Sequence, residues 1–224
     1  MITRSGGSRV YFEGDRAQFL AKMREQRNIW QWLLDRLAFP WLAVTPGSEA
    51  LKHGLMPLDL ERFRVVLVEI RGRLLDIGCG DNLLVEAYGN GVGADIIDWG
   101  HVDVVLTGDG SLPFDDGSFD TVTIVAALNH MAHRDELIKE CHRVLSPPGR
   151  LIVTMLNPPV SYISHHLRRR IDPDQIHRRP NRDEVWGMWP RDVERLLNRG
   201  GFSLQSSRGF VWDLNLINIA KRVD

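Results

Sequence analysis

An apolar run of this chain ends in an acid that is followed by two closely spaced glycines, Asp76-Ile77-Gly78-Cys79-Gly80. Glycine in a turn lets the backbone approach a bound molecule, because no Cβ atom stands between them. A dinucleotide-binding loop would place a third glycine where this chain has Leu83, and a Walker loop would continue with Gly-Lys and Ser or Thr, which do not follow. The spacing therefore favours a nucleoside over a pyrophosphate as the bound group.

Two more acids follow short apolar runs further along the chain. Gly93-Ala94-Asp95 ends the second predicted strand, and Gly108-Asp109 follows the third. A carboxylate at the end of such a strand can accept hydrogen bonds from both hydroxyls of a ribose. Hydroxyls and amines are donors and carboxylates are acceptors, so these residue types suit a nucleoside ligand.

A parallel sheet would bring these acids to one edge. Between residues 73 and 155, short apolar strands alternate with helical segments, including an amphipathic helix over Asp135–Leu145 that ends at Ser146-Pro147-Pro148-Gly149. This alternation predicts a doubly wound, Rossmann-like α/β fold with a mostly parallel sheet. The strands are predicted at 73–77, 92–95, 102–106, 121–125 and 151–155.

The two ends of the chain lack the strand–helix alternation of residues 73–155. Apolar residues recur three or four positions apart within 16–44 and 58–70, which predicts an N-terminal helical cap over residues 1–70, ahead of an α/β domain over residues 71–224. At the other end, two strand-like runs follow the last helix with no helix between them. They predict an antiparallel hairpin at the edge of the sheet.

The composition narrows the class of protein. With 224 residues and a formal charge of −1, the chain has no basic excess of the kind that nucleic-acid binding favours. Cys79 and Cys141 lie far apart, which excludes a disulfide scaffold and a cysteine-rich zinc site and fits a reducing compartment. No other cluster has metal-ligand spacing, so no metal is predicted. The polar first residues do not resemble a signal peptide, and we expect a cytoplasmic protein.

Four ordered motifs carry a resemblance to a known family. They are the Asp76–Gly80 loop, Asp95, the segment from Gly108-Asp109 through Asp120, and Asn129-His130 with the helix ending at Arg143–Arg150. In this order they resemble the class I S-adenosylmethionine-dependent methyltransferases, in particular the small-molecule group typified by ubiquinone/menaquinone biosynthesis enzymes. The resemblance covers residues 71–157. It implies that S-adenosylmethionine is the cofactor and S-adenosylhomocysteine the product.

The resemblance implies a role for each matching residue at the first two strand ends. Gly78, Cys79 and Gly80 would underlie the methionine part of the cofactor, and Asp76 would orient its amino group. Asp95 would hold the ribose hydroxyls, and the neighbouring Ile96 would pack on the adenine face.

The resemblance also implies roles beyond the third and fourth strands. Asp109 would accept from the adenine amine, and the Gly110 amide would reach a ring nitrogen. Asn129 and His130 would lie near the reactive methyl group. His130 is the candidate general base for a hydroxyl or amine acceptor; as an alternative, it is a histidine at a helix start that bonds to backbone.

Two features depart from the family pattern. Asn82 stands where many relatives have glycine, and we expect it to be tolerated as a helix N-cap. Only a short segment separates Asp95 from Asp109, where relatives usually place a helix. Within it, Trp99 either covers the adenine edge or packs against the sheet.

The segment of about 158–189 is rich in arginine, and in the resembled family this part of the chain often forms a lid over the substrate. Arginines there would suit a carboxylate or phosphate on the acceptor, or they would pair with acids elsewhere as a solvated basic helix. Tryptophans of this segment and of the N-terminal helices would wall an apolar pocket or, alternatively, contact a membrane surface. The candidate substrate and lid residues are Trp30, Arg168, Arg169, Trp186 and Trp189.

The sequence therefore predicts a methyltransferase that acts on a small, apolar or anionic acceptor, with no nucleic-acid partner. A nucleic-acid methyltransferase using the basic segment is an alternative, although Asn157-Pro158-Pro159 continues with Val160 rather than with an aromatic residue that could stack on a base. A second alternative is a cofactor-binding scaffold without transfer activity. Asn82 and the absence of a predicted helix between Asp95 and Asp109 support it.

Overall fold

The computed structural model describes residues 16–168 and 184–223. Within them, seven strands form one sheet in the order β3-β2-β1-β4-β5-β7-β6. Pairings among β1 to β5 are parallel, whereas β7 is antiparallel to both β5 and β6. The prediction of a doubly wound sheet with an antiparallel edge hairpin is confirmed. The strands are β1 (Leu74–Ile77), β2 (Gly91–Asp95), β3 (Val104–Val105), β4 (Phe119–Val125), β5 (Leu145–Leu156), β6 (Phe202–Phe210) and β7 (Asn215–Arg222).

Helices precede, separate and follow these strands. Five of the described helices lie before β1. One more follows each of β1, β4 and β5, and the last lies just before β6. The described helices are α1 (Arg16–Arg24), α2 (Ile29–Leu37), α3 (Phe39–Leu42), α4 (Gly47–Lys52), α5 (Leu58–Leu67), α6 (Leu83–Tyr88), α7 (Arg134–Val144), α8 (Pro158–Arg168) and α9 (Pro190–Arg199), with a 3-10 turn at Leu128–His130.

The sheet has a buried core on each face because neighbouring strand residues point to opposite sides. Leu75 and Val153 belong to a cluster that includes residues of α7 and α9. Leu74 and Ile152, one position away on the same strands, belong to a second cluster. That second cluster contains Phe19 and Met23 of α1 and Leu60 and Val66 of α5, together with residues of α6, so the N-terminal helices cover one face of the sheet. The division of the chain at residue 70 stays a prediction.

The order of the strands creates the place where a ligand can bind. Strand β1 pairs in parallel with β2 on one side and with β4 on the other, so the direction of winding reverses between β1 and β4. The loops that follow these strands separate at such a point and leave a crevice at their carboxyl ends.

The helical pattern of residues 16–44 is interrupted rather than continuous. Asn28 begins a new helix, α2: its Oδ1 accepts from the Gln31 amide at 2.9 Å, and its own amide donates to Gln31 Oε1 at 3.0 Å. This reciprocal cap stabilises a helix start by about 1 kcal/mol. In α2 the polar residue Asp35 faces inward, where it binds Arg27 and the Met56 amide. The apolar side faces solvent, and Trp30 is 72% exposed.

Candidate active site

The end of β1 carries a buried carboxyl group. Asp76 is 1% exposed, and the Thr123 hydroxyl on neighbouring β4 donates to its Oδ1 at 2.6 Å. Burial raises the pKa of Asp76 to about 7; the Thr123 hydrogen bond opposes this rise, and the charge of Asp95 adds to it. The carboxyl group is therefore poised to ionise when a cation approaches it.

The glycine loop that follows is tied to β2. The amides of Gly78 and Cys79 donate to the Ala94 carbonyl at 2.8 and 3.2 Å. Gly78 has a φ of +73°, and a Cβ there would lie 2.6 Å from the Cβ of Ala127, so only glycine fits this turn. Cys79 is buried, and burial raises the pKa of its thiol, which makes it a packing residue rather than a nucleophile.

Asp95 joins the loop to the end of β2. Its Oδ2 accepts from the Gly80 amide at 3.0 Å, and its Oδ1 accepts from the Ile97 amide at 3.0 Å. Two main-chain donors thus fix the orientation of the carboxylate. The structure brings together the acids at the ends of β1 and β2 and the glycine loop between them, as the sequence predicted.

A third acid, Asp109, follows β3. Three donors converge on Asp109 Oδ1, namely the Thr107 hydroxyl at 2.7 Å, the Ser111 hydroxyl at 2.6 Å and the Ser111 amide at 3.0 Å. These hydrogen bonds, led by that of the Ser111 hydroxyl, lower the pKa of the exposed Asp109 to about 2. Next to it, Gly110 contacts the start of α7, since a Cβ there would lie 3.0 Å from the Cβ atoms of His133 and Glu136.

The side chain of Ile96 lies close to the backbone just before Asp109. Its side chain is exposed, and a Cβ on Gly108 would lie 3.5 Å from its Cγ2 atom. An exposed aliphatic side chain beside glycine backbone offers a flat apolar surface, which suits one face of an aromatic ring.

Asn82 is accommodated differently from the N-cap that the sequence suggested. It occupies the N-cap position of α6 with a φ of +61°, the left-handed backbone that glycine adopts easily and asparagine tolerates, but its side chain caps no helix amide. Instead, its Nδ2 donates to the His101 carbonyl and to Asp103 Oδ2, both at 2.9 Å. Asp103 Oδ2 also accepts from the Gly93 amide at 2.8 Å. The side chain of Asn82 therefore anchors the segment that replaces a helix between β2 and β3. Within that segment Trp99 is buried, as the packing alternative requires.

Beyond β4, the 3-10 turn places Asn129 and His130 against the chain that returns to the sheet after residue 183. His130 Nδ1 lies 2.5 Å from Glu184 Oε1, and the two side chains are 14% and 15% exposed. Asn129 exchanges two hydrogen bonds with Val185: its carbonyl accepts from the Val185 amide at 3.0 Å, and its Nδ2 donates to the Val185 carbonyl at 3.3 Å.

A group of aromatic rings lies next to His130. The His165 ring of α8 lies edge-on to His130, with the centroids 5.2 Å apart. Trp186 contacts His165 at 5.3 Å and Tyr162 at 5.6 Å between ring centroids. Trp186, from the predicted lid, is therefore connected to the predicted base through the His165 ring.

The other lid candidates lie elsewhere. Arg168 Nη2 binds Asp59 Oδ2 of α5 at 3.0 Å, as the alternative of pairing with a distant acid requires. Although burial opposes the change, the charges of Arg168 and Arg62 lower the pKa of Asp59. Trp189 is the N-cap residue of α9 and is half exposed. Trp30 lies on the outward side of α2, and no ring contact between described residues joins it to Trp186. Arg169 lies outside the described residues.

Three residues of the site were missed by sequence reasoning. Thr123 occupies an interior position of an apolar strand, where a polar residue is a signal for a buried partner. Asp103 and Glu184 gave no comparable signal, because each acts on a residue that is distant in the sequence.

The fold and the site together define a Rossmann-like domain with a glycine loop and two acids at the carboxyl ends of neighbouring strands. Residues 75–153 of this domain match the family model described as a methyltransferase domain. The chain is 39% identical over 120 residues to the ubiquinone/menaquinone biosynthesis C-methyltransferase UbiE of Pseudomonas aeruginosa, which covers 54% of this chain and 43% of that protein. For the enzyme of the same name from Hahella chejuensis, the identity is 33% over 100 residues, with 45% and 36% covered. The chain thus spans less than half the length of these curated relatives.

Solved structures share the fold. A protein from Thermotoga maritima described as an S-adenosylmethionine-dependent methyltransferase, possible histamine N-methyltransferase, has a TM-score of 0.55 at 16% identity, covering 73% of this chain and 89% of that one. The putative methyltransferase in a complex with the Haloferax volcanii Trm112 activator has a TM-score of 0.58 at 15% identity, with 84% and 96% covered. No helix within the described ranges has the length and apolar character needed to span a bilayer.

Proposed function

We propose that the protein is an S-adenosylmethionine-dependent methyltransferase that acts on a small, apolar or anionic acceptor. The observation that carries this proposal is the joined arrangement of Asp76, the glycine loop and Asp95. The residues fit the cofactor, because the buried Asp76 carboxyl would gain a cationic partner in its amino group. In addition, Gly78 packs so closely against Ala127 that no Cβ fits there, which fixes the turn of the loop beside the buried Asp76.

Each end of the crevice would hold a different part of the cofactor. Asp76 and the loop Gly78–Gly80 would hold the amino-acid part, and Asp95 would accept from the ribose hydroxyls. Ile96 would cover one face of the adenine, and Asp109 with Gly110 would meet its polar edge. When bound, S-adenosylmethionine supplies an activated methyl group on a sulfonium sulfur.

The contribution of the chain to transfer would then be alignment and exclusion of water. A methyl group on a sulfonium is already activated, so holding the acceptor in line with it accounts for most of the rate. His130, at the end of β4, would accept a proton from the acceptor at a ring nitrogen. The His165 ring contacts His130, and Trp186 packs on His165; together these rings would exclude water and favour an apolar acceptor.

The relatives support this acceptor class. They are named for ubiquinone and menaquinone biosynthesis and for methylation of carbon, which favours a small-molecule acceptor for this chain and carbon as the methylated atom. The left-handed backbone of Asn82 supports an intact cofactor loop rather than a scaffold that has lost transfer.

Calorimetric titration of the full chain with S-adenosylmethionine and S-adenosylhomocysteine, with NAD as the control ligand, tests the proposal. We expect micromolar binding of the first two and no binding of NAD. Failure of both adenosyl ligands to bind would overturn it.

A further inference from the structure

Glu184 makes a contact that holding a cofactor does not require. It lies near the end of the arginine-rich segment, yet its carboxylate lies 2.5 Å from a ring nitrogen of His130, which is 54 positions earlier in the chain. Both side chains are largely shielded from water, and a charge-assisted hydrogen bond is stronger in such surroundings than in solvent.

The contact fixes which nitrogen of His130 carries the proton. An ionised carboxylate only accepts hydrogen bonds, so Nδ1 must donate to Glu184 Oε1. In the neutral ring Nε2 then carries the lone pair. The Asn129 Nδ2 atom lies 3.1 Å from Nε2 and 3.4 Å from Nδ1, so it does not lie along that lone pair. Histidines acting as bases commonly have one nitrogen fixed in this way, so that the other is free to take the proton.

The segment that bears Glu184 is held at the site by its own backbone. The paired hydrogen bonds between Asn129 and Val185 register it against the turn after β4. Trp186, two residues beyond Glu184, packs on His165, whose ring also faces His130. Two titratable groups that the described structure places against the His130 ring are Glu184, from this segment, and His165, from α8.

We propose that Glu184 is a positioning residue, which holds His130 as the Nδ1-protonated tautomer with Nε2 directed to take a proton from the methyl acceptor. This inference rests on the proposed function, and it defines the acceptor as one that carries an acidic hydroxyl or amine hydrogen. That O–H or N–H bond breaks, the proton goes to Nε2, and the electron pair stays on the acceptor, where the oxygen or nitrogen, or a carbon conjugated with it, becomes the nucleophile. After transfer, the imidazolium releases the proton to solvent.

Nitrogen-15 NMR of the histidine rings tests the assignment without any acceptor, in the full chain with and without S-adenosylhomocysteine. At a pH where neutral imidazole dominates, we expect His130 to show a protonated Nδ1 and an unprotonated Nε2. His142, whose Nε2 faces the Val223 carbonyl at 2.8 Å, provides the opposite tautomer as a reference. Loss of one signal in His130→Gln assigns the ring.

Glu184→Ala should remove the clear separation of the two His130 nitrogen signals, because both tautomers become populated. His166, whose Nδ1 faces the Tyr162 carbonyl at 2.9 Å, should keep its signals and report that the neighbouring helix is intact. Glu194→Ala on α9 removes an exposed carboxylate as the matched control and should change neither ring.

A protonated Nε2 on His130 in the unaltered chain, or His130 signals unchanged by Glu184→Ala, would overturn the proposal. Calorimetry separates its failure from that of the proposed function. If S-adenosylhomocysteine binds while the tautomer is wrong, only Glu184 loses its role. If the tautomer is as expected but no adenosyl ligand binds, the function falls and the assignment of the ring remains.

Discussion

The Gly80 amide donates to Asp95 Oδ2 across 3.0 Å, so the glycine loop after β1 and the acid at the end of β2 form one unit. In the proposed complex, the two oxygens of Asp95 serve both the loop and the ribose. A substitution at Asp95 would therefore disturb two parts of the cofactor site together.

Asp95→Ala should weaken binding of S-adenosylhomocysteine roughly 100-fold or more, since hydrogen bonds to a charged group contribute about 1.5–3 kcal/mol each. Calorimetric titration measures the loss. Asp192→Ala, which removes an acid from the exposed Arg195 pair on α9, is the control and should bind normally. Equal affinities in the two variants would remove Asp95 from the site.

Asp76→Asn should make the unliganded chain more stable at alkaline pH. The folded state keeps a proton on Asp76, with its pKa of about 7, that the unfolded chain releases near its ordinary value of 3.8. Stability of the unaltered chain therefore falls across that window as pH rises. We expect the advantage of the variant in free energy of unfolding to grow by about 2–3 kcal/mol between about pH 5 and about pH 8. Urea unfolding at both pH values measures it, and a constant difference would contradict the raised pKa.

Affinity for S-adenosylhomocysteine should rise with pH in the unaltered chain. The ligand's ammonium group binds the ionised form of Asp76, whose population increases as pH rises through about 7. Between about pH 6 and about pH 8 we expect up to a roughly 10-fold gain in the association constant. In Asp76→Asn that gain should disappear, and a gain of equal size in the variant would show that another group is responsible.

Gly93 and Asn82 should be energetically coupled. A Cβ on Gly93 would overlap the Oδ1 atom of Asn82, so Gly93→Ala should destabilise the chain by about 1–3 kcal/mol. Asn82→Gly removes that overlap and suits the left-handed backbone, although it also loses two hydrogen bonds. The double variant should lose about 1–2 kcal/mol less than the sum of the single variants. Denaturant unfolding of the unaltered chain, the two single variants and the double variant measures this coupling energy. Strictly additive losses would argue against the contact between Gly93 and Asn82.

Arg168→Ala should reduce stability and leave cofactor affinity unchanged. Its guanidinium is largely buried against Asp59, which would retain Arg62 as a cationic partner. We expect a loss of about 1–3 kcal/mol in free energy of unfolding. Arg195→Ala, from an exposed pair, should cost less than about 0.5 kcal/mol. Unchanged stability together with weakened binding would instead place Arg168 at the cofactor.

The arrangement of the proposed cofactor site was predictable because its parts are local in sequence. Asp76, Gly78 and Gly80 lie within one turn, and parallel strands bring Asp95 to the same edge whatever the details of packing. The alternation of strands and helices likewise predicted the sheet, and two strand-like runs with no helix between them predicted its edge hairpin.

The sequence by itself determined the residues that end each strand, since period and turn residues act over a few positions. Tertiary structure alone decided which distant groups meet there. The Thr123 hydroxyl reaches Asp76 from the neighbouring strand, and Asp103 accepts a hydrogen bond from Asn82. Glu184 contacts His130 from near the end of the arginine-rich segment. Such contacts depend on strand register and on where a returning segment packs, and no local periodicity encodes either.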